Sequence, residues 1–413
     1  MPFIVDSEDT YEPGTIVYVT HSEDPYSGEA TVGIKRTDWW NGKNLAGYQI
    51  VIGYGYHTPA HEWSPSPPLY VVAQHEVSKE GEALIELVCI DLWQKMDYHI
   101  LGPDPVTGDP KYMGGWIRDM TIQEIVTDLL SQMDPPMTFV LDSEDPDSLM
   151  STYTPVYLVE IGTSLRKVLR DLMAMTKNSL EIVSKPTGEG EYYYTFEVHS
   201  KYMDTAEASE YSYNSVGVLH SSFSNVRQHG LTIPNHIIFV DHLPTSGSDT
   251  YQHKGEAVDL ESVARIGRLY AVYSPPETGD TEGITYTDAE CQQMAEAILA
   301  RIQAETNQGR ILVPHDCARE LYDVVDLDDT ARTGETFQGR VGGLIHTYAS
   351  EAYKDDQRSY NLEIRLGGLM DGVNISSPDA VLGQLAGLTL VHALPPTPAT
   401  RWAVEGTLRG GVV

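Results

Sequence analysis

The sequence predicts an α+β protein in which two β-rich blocks, each reading as a small barrel or sandwich, flank an α/β block. Three observations predict it. Strand-like runs follow one another from Pro13 to about Trp93. Between about residues 112 and 203 the hydrophobic period switches from that of strands to that of helices. From Tyr286 to Gly367, one capped helix leads into three or four further strand-like runs. A chain of 413 residues has room for about two to four such units, each with its own core.

Taken in order, residues 1–11 are an acidic lead with little structural signal. Strands are expected at Thr15–Thr20, Ala30–Lys35, Tyr48–Tyr54, Leu69–His75 and Ala83–Leu92, broken by Gly, Pro and Asp clusters at antiparallel spacing. Gly55–Pro68, with Pro59, Pro65, Pro67 and Pro68, reads as an exposed loop. Gly102–Gly115 is rich in Pro and Gly and marks a boundary. Beyond it, Thr121 and Glu124 form a capping box. Ile122, Ile125, Val126, Leu129, Leu130 and Met133 then fall on one helical stripe, stopped by Asp134-Pro135-Pro136. A second helix starts near Thr163, with Leu165, Val168, Leu169, Leu172 and Met173 on its stripe. Leu180–Val183 and Tyr192–Val198 follow as strands, so residues 112–203 read as an α/β insertion.

Strand text returns at Tyr211–Asn225 and His236–His242. Asp241–Thr285 is a long polar connection holding one candidate strand, Gly267–Tyr273. Thr287 and Glu290 then make another capping box, and Cys291, Met294, Ala295, Ile298 and Ile302 form the stripe of the helix it opens. Asn307-Gln308-Gly309 stops that helix, with Gly309 suited to a left-handed cap. Strands are expected at Arg310–Val313, Leu321–Leu327, Phe337–Tyr348 and Tyr360–Leu366. In the last, Tyr360, Leu362, Ile364 and Leu366 alternate with Asn361, Glu363 and Arg365. The tail after Gly372 is Gly-, Pro- and Thr-rich around one apolar run, and is expected to dock on a neighbour or stay mobile. Ser-Glu-Asp recurs at 7–9, 22–24 and 143–145 and reads as surface turn text.

Sixty carboxylates against 27 Lys and Arg give a formal net charge of −33. Such a surface repels nucleic acid and anionic membranes; adaptation to a saline environment is the competing explanation. Cys89, Cys291 and Cys317 are an odd, widely spaced set, neither a disulfide framework nor a zinc motif. Cys89 and Cys291 read as core residues. Met1–Thr10 is too short and acidic for a secretory leader. The longest apolar run, Val381–Leu394, is too short to span a bilayer and contains His392. The expectation is a soluble protein made in the cytoplasm.

The search for chemistry finds little. His57 and His61, with Glu62, have a zinc-binding spacing only on a helix, and Pro59 forbids one. Asp326, Asp328, Asp329 and Thr330 resemble the start of a calcium loop. Ala331 stands where that loop needs glycine, and Phe337 where it needs glutamate. His315-Asp316-Cys317 holds a nucleophile and a base, but sequence neighbours seldom face each other. Gly53-Tyr54-Gly55 lacks the third glycine of a dinucleotide site. The 25 tyrosines come with no basic stripe for single-stranded nucleic acid. No catalytic, metal-binding or cofactor-binding residue is assigned, no cofactor is expected, and the chain is not expected to be an enzyme.

Ile233–Val240 (Ile-Pro-Asn-His-Ile-Ile-Phe-Val), Arg265–Arg268 (Arg-Ile-Gly-Arg), the helix from Thr287, Leu-Tyr-Asp-Val-Val-Asp-Leu from Leu321 and Gly-Gly-Leu-Ile-His-Thr-Tyr from Gly342 carry a resemblance. In order and spacing, over roughly residues 12–370, they resemble the central hub proteins of phage tails and baseplates of the late-control-protein type. They are similar also to the hub portion of type VI secretion spikes. One departure is that such hubs often show Pro-Gly-Asp before the strand matching Leu321–Leu327, where this chain has Glu320-Leu321-Tyr322-Asp323.

The resemblance implies two tail-tube-like β-barrels with an α/β insertion. The divisions are a lead at 1–11, a first barrel at 12–111 completed by 204–242, the insertion at 112–203, a second barrel with one helix at 243–372, and a tail at 373–413. It implies a structural virion protein: a homotrimer forming a pseudo-sixfold ring between the hexameric tail tube or distal tail protein above and a threefold spike or tip below. DNA would pass through the ring without specific binding, a tape measure protein could be a further neighbour, and this chain would insert into no membrane. Two alternatives remain. One is a tail-associated cell-wall hydrolase, for which the roughly forty residues beyond the hub-like text are too few. The other is a host-glycan-binding tip module, in which Trp39-Trp40 would stack on sugar rings.

Overall fold

The computed structural model describes residues 3–5, 16–36, 44–56, 63–79, 82–101, 115–117, 120–133, 136–142, 149–155, 157–159, 162–186, 194–203, 207–214, 222–226, 234–241, 253–274, 286–306, 308–328, 330, 336–350, 359–367 and 389–393. Strands β1 (Phe3–Val5), β2 (Ile16–Asp24), β3 (Ser27–Lys35), β4 (Gln49–Gly55), β5 (Trp63–Pro65), β6 (Leu69–Lys79) and β7 (Glu82–Asp91) lead into helix α1 (Leu92–Tyr98). The middle of the chain carries β8 (Gly115–Ile117), α2 (Ile122–Ser131), β9 (Thr138–Leu141), α3 (Leu149–Thr152), β10 (Tyr157–Val159), α4 (Leu165–Met173), β11 (Asn178–Pro186) and β12 (Tyr194–Tyr202). Then come β13 (Tyr211–Asn214), β14 (Ser222–Val226), β15 (His236–Val240), β16 (Lys254–Val258), α5 (Leu260–Ile266), β17 (Tyr270–Ser274) and α6 (Asp288–Thr306). The last are β18 (Gln308–Pro314), β19 (Val324–Asp328), β20 (Thr336–Ala349), β21 (Ser359–Leu366) and β22 (Thr389–Ala393). The class is α+β, mostly strand.

One hydrogen-bonded path runs β1-β4-β6-β7-β3-β2-β20-β21-β18-β14, with β5, β13 and β19 attached to it. It therefore crosses from the first block to the last at a single antiparallel seam, β2 against β20. Each side of the seam has its own core. Val19, Val32, Ile34, Ile52, Leu69, Leu87 and Cys89 fill the first, and Ile311, Val325, Leu327, Leu344, Leu362 and Ile364 the second. The third core joins the helices to strands β11, β12 and β15–β17. The capping box of α2 forms as the sequence predicts, Thr121 Oγ1 accepting from Glu124 N at 3.2 Å and Glu124 accepting from Thr121 N at 2.8 Å. Both insertion stripes are fully buried. They share their core with α6, whose own box closes at Thr287 and Glu290 and whose stripe from Cys291 to Ile302 is buried.

Several details differ from the sequence expectation. Gly309 lies inside β18 and is not left-handed. Of the expected exposed loop Gly55–Pro68, Trp63–Pro65 pairs with β4. Ser66 there is buried, its hydroxyl accepting from Ile52 N at 3.0 Å. The polar connection after Asp241 holds β16 and α5, the helix ending at Gly267 with φ +83, a left-handed value that glycine takes freely. Ser22-Glu23-Asp24 is the end of β2, not a turn. Part of the tail is a strand within this chain's own fold, β22 pairing with β17. The strands of 204–242 take their hydrogen-bonded neighbours from later in the chain: β13 bonds β19, β14 bonds β18, and β15 bonds β16 and β17.

Two residues other than glycine have positive φ among the described residues, Tyr26 (56°) and Tyr322 (70°). Tyr26 follows Pro25 in the β2–β3 turn, at the position where such a turn asks for glycine. Tyr322 lies in the stretch where the hub pattern has Pro-Gly-Asp. Left-handed backbone costs an L-residue about 1–2 kcal/mol, and both tyrosines offset that by burial at 2 % exposure. Tyr26 Oη accepts from Leu180 N at 3.4 Å. Tyr322 Oη donates to Leu180 O at 3.2 Å.

Candidate functional site

Among the described residues, the seam brings together a cluster of titratable side chains. β2 alternates, so His21 and Glu23 lie on one face. Register then places His346 of β20 directly opposite His21. Both histidines are nearly fully buried, and Glu23 exposes 13 % of its side chain. Glu23 Oε1 lies 3.1 Å from His346 Nε2 and 3.5 Å from His21 Nδ1. Around this trio, Tyr54 Oη of β4 is 2.8 Å from His21 Nδ1, and His315 Nε2, just past β18, is 2.9 Å from His346 Nδ1. The rings also stack, Tyr54 on His346 at 4.3 Å and His315 on Tyr360 at 4.2 Å. A cavity of about 120 Å³ opens against these groups and reaches Glu181 and Ser184 of the insertion.

Burial dominates the electrostatics. It pushes the pKa of His21 down to about 4, with Glu23 pulling the other way. His315 and His346 fall to about 3, again by burial. Glu23 is pushed up by burial, against the pull of His21. At neutral pH the imidazoles are uncharged, the form that binds metals or passes hydrogen bonds. Among the described residues, His21, Glu23 and His346 are the group whose donor atoms all come within 4.8 Å of one another.

The sequence-level candidates fare differently. His57, His61 and Glu62, and Trp39-Trp40, lie outside the described residues. His315 belongs to the cluster but turns its Nε2 to His346. Asp316 accepts from Tyr213 Oη at 2.8 Å and pairs with Arg319 at 3.2 Å. Burial raises the Cys317 thiol, as it raises Cys89 to about 12, so neither is an activated nucleophile. Asp326 and Asp328 lie on strand β19. Asp326 accepts from Ser209 Oγ at 2.5 Å, and Asp328 from Thr330 Oγ1 at 2.6 Å and Thr330 N at 3.0 Å. Gly53-Tyr54-Gly55 is strand β4, with Tyr54 buried in the seam. Sequence reasoning missed His21, Glu23 and His346. The available signal was His-x-Glu on an alternating strand.

No family model and no curated protein matches this sequence. Solved structures do. A tail protein from Neisseria meningitidis MC58 superposes with a TM-score of 0.57 at 12% identity, covering 88% of this chain and 95% of that one. Prophage tail protein gp18 from Listeria monocytogenes EGD-e gives 0.53 at 9%, covering 93% and 98%. A chain of the Francisella PdpA-VgrG complex gives 0.51 at 8%, covering 88% of this chain and 57% of that longer one. No helix among the described residues is long and apolar enough to cross a membrane. Along nearly all of its length, this chain has the fold of phage tail proteins.

Proposed function

We propose that this chain is the central hub of a phage tail tip or baseplate, a structural virion protein and not an enzyme. One observation carries the proposal: the likeness to the two tail proteins covers 88–93% of this chain and 95–98% of theirs.

In this reading the two β-blocks curl into two tube-like barrels, one built on 12–111 and the other on 243–372, with 112–203 inserted and the strands of 204–242, expected with the first, bonded to the second. Three chains then close a pseudo-sixfold ring through head-to-tail contacts. The ring joins the hexameric tube or distal tail protein to a threefold spike or tip, and DNA crosses its lumen. An acidic lining repels the duplex and leaves no deep wells in its path. Screening over about 8 Å at physiological salt makes only the lining residues matter.

Mass measurement and imaging of purified tails test this. Three copies per particle at the tube's distal end are expected, with carboxylates denser on the lumen than on the rim. Six copies, or a location away from the tip, would overturn the hub assignment. A neutral or basic lumen inside an acidic rim would assign the charge to a saline environment instead.

A further inference from the structure

We infer that His21, Glu23 and His346 form a binding site for one divalent transition-metal ion of the zinc class, clamping β2 to β20 across the seam between the two β-blocks. The placement follows from sheet geometry alone. His21 and His346 are register partners, and Glu23 is two residues along the same strand, so all three side chains leave one face of the sheet. Their spacing suits a common ligand. Zinc–nitrogen and zinc–oxygen bonds of about 2.0–2.1 Å in tetrahedral array put donor atoms about 3.3 Å apart. The Glu23 oxygen is 3.1 Å from His346 Nε2 and 3.5 Å from His21 Nδ1; Tyr54 Oη, 2.8 Å from that same Nδ1, gives up its contact when the ion binds.

Direction points the same way. His346 Nε2 is buried and makes no hydrogen bond, although Glu23 Oε1 is at hydrogen-bond distance from it. That nitrogen is therefore left for a ligand. Outer groups fix the rings, as metal sites require: His315 Nε2 holds His346 Nδ1 at 2.9 Å, and Tyr54 stacks on His346. The cavity of about 120 Å³ beside the trio has room for a water as fourth ligand. Two imidazoles and one carboxylate select zinc-class ions over magnesium or calcium, which prefer all-oxygen sites. Because β2 and β20 come from opposite blocks, the ion would act as a cross-link and raise stability by binding only the folded state.

The experiment uses the full chain, treated with chelator and titrated with Zn²⁺ by calorimetry and with Co²⁺ by visible absorption. The expected result is one equivalent per chain, a four-coordinate Co²⁺ spectrum and a higher Tm with metal. Glu23→Gln and His346→Asn should each bind about a hundredfold more weakly, and His315→Asn about tenfold more weakly, as an outer partner does. A His57→Ala/His61→Ala variant should bind as the parent does. Absence of stoichiometric binding by the parent overturns the proposal. So does binding that survives His346→Asn or vanishes with the His57/His61 pair. If the seam variants fail to fold, X-ray absorption of the zinc-loaded His57→Ala/His61→Ala protein decides: two imidazoles with oxygen neighbours support the site, and any other shell refutes it.

Discussion

Arg301→Met removes the contact that ties α6 to the insertion. Arg301 is 5 % exposed on α6, and its guanidinium donates to three backbone oxygens at the end of α4 and the start of β11. Nε reaches Thr176 O at 2.8 Å, and Nη2 reaches Met173 O and Asn178 O. Met173 O, at the last residue of α4, carries the partial negative charge of a helix C-terminus, which a cation satisfies. Hydrogen bonds to a charged group are worth roughly 1.5–3 kcal/mol each, but they do not add here. Met173 O also accepts from Thr176 Oγ1 at 3.1 Å and Thr176 N at 3.0 Å, and Asn178 O has Thr176 Oγ1 at 3.4 Å. The uncompensated loss falls mainly on Thr176 O, while methionine keeps most of the apolar packing. About 3 kcal/mol is therefore expected, with Arg301→Lys losing less because it retains the charge and one donor. Urea unfolding at neutral pH measures it, and limited proteolysis should show the insertion cut first. A loss below about 1 kcal/mol, or a lysine variant no better than methionine, would refute the argument.

Three further predictions concern other joints. Gly255→Ala places a Cβ 2.2 Å from the backbone C and O of Cys291; backbone cannot yield as a side-chain tip can, so β16 should part from α6 at a cost of about 2–3 kcal/mol, read by thermal unfolding. Leu129→Asp or Leu169→Asp puts a charge on a fully buried stripe, costing several kcal/mol; if the chain is the tail hub proposed above, tails built with either variant should fail to assemble, and normal infection would show those stripes are not core. Asp91→Asn tests a titration. Burial raises the Asp91 carboxyl to about 7 from an ordinary 3.8, so its contribution is present below about 4 and is lost as pH rises toward 7. Asparagine keeps the cap that Asp91 Oδ1 makes on Gln94 N and titrates nothing, so the variant's stability should fall less steeply than the parent's between pH 4 and 7.

Local chemistry was legible wherever it is decided locally. Both capping boxes, all three helix stripes and the alternation of β21 are written within a few neighbouring residues, and each forms as read. Helix α1 was missed because Leu92 and Trp93 read as the end of a strand, while the Asp91 cap that starts the helix belongs to β7. The candidate site was illegible for a different reason. His21 and Glu23 sat in text that reads as a turn, and His346 in an ordinary strand. Only the β2–β20 register, which joins the two ends of the chain, makes them neighbours. Motif spacing sees ligands on one element and cannot see ligands that pairing brings together.

The two strained tyrosines bear on how the β-blocks relate. Tyr26 belongs to the first block and Tyr322 to the second, yet each is a buried, left-handed turn residue whose hydroxyl meets Leu180 of β11. One takes the N–H of that residue and the other its C=O, so together they occupy both main-chain groups of a single position. Glycine at either turn would remove the backbone cost but leave a group of Leu180 without its buried partner, a loss of about 1–3 kcal/mol. Strand β11 is thus held between turn tips of two blocks that share one sheet through the β2–β20 seam. If the blocks are the two equivalent units of a pseudo-sixfold ring, β11 marks where their equivalence is broken, because a single strand cannot present the same edge to both.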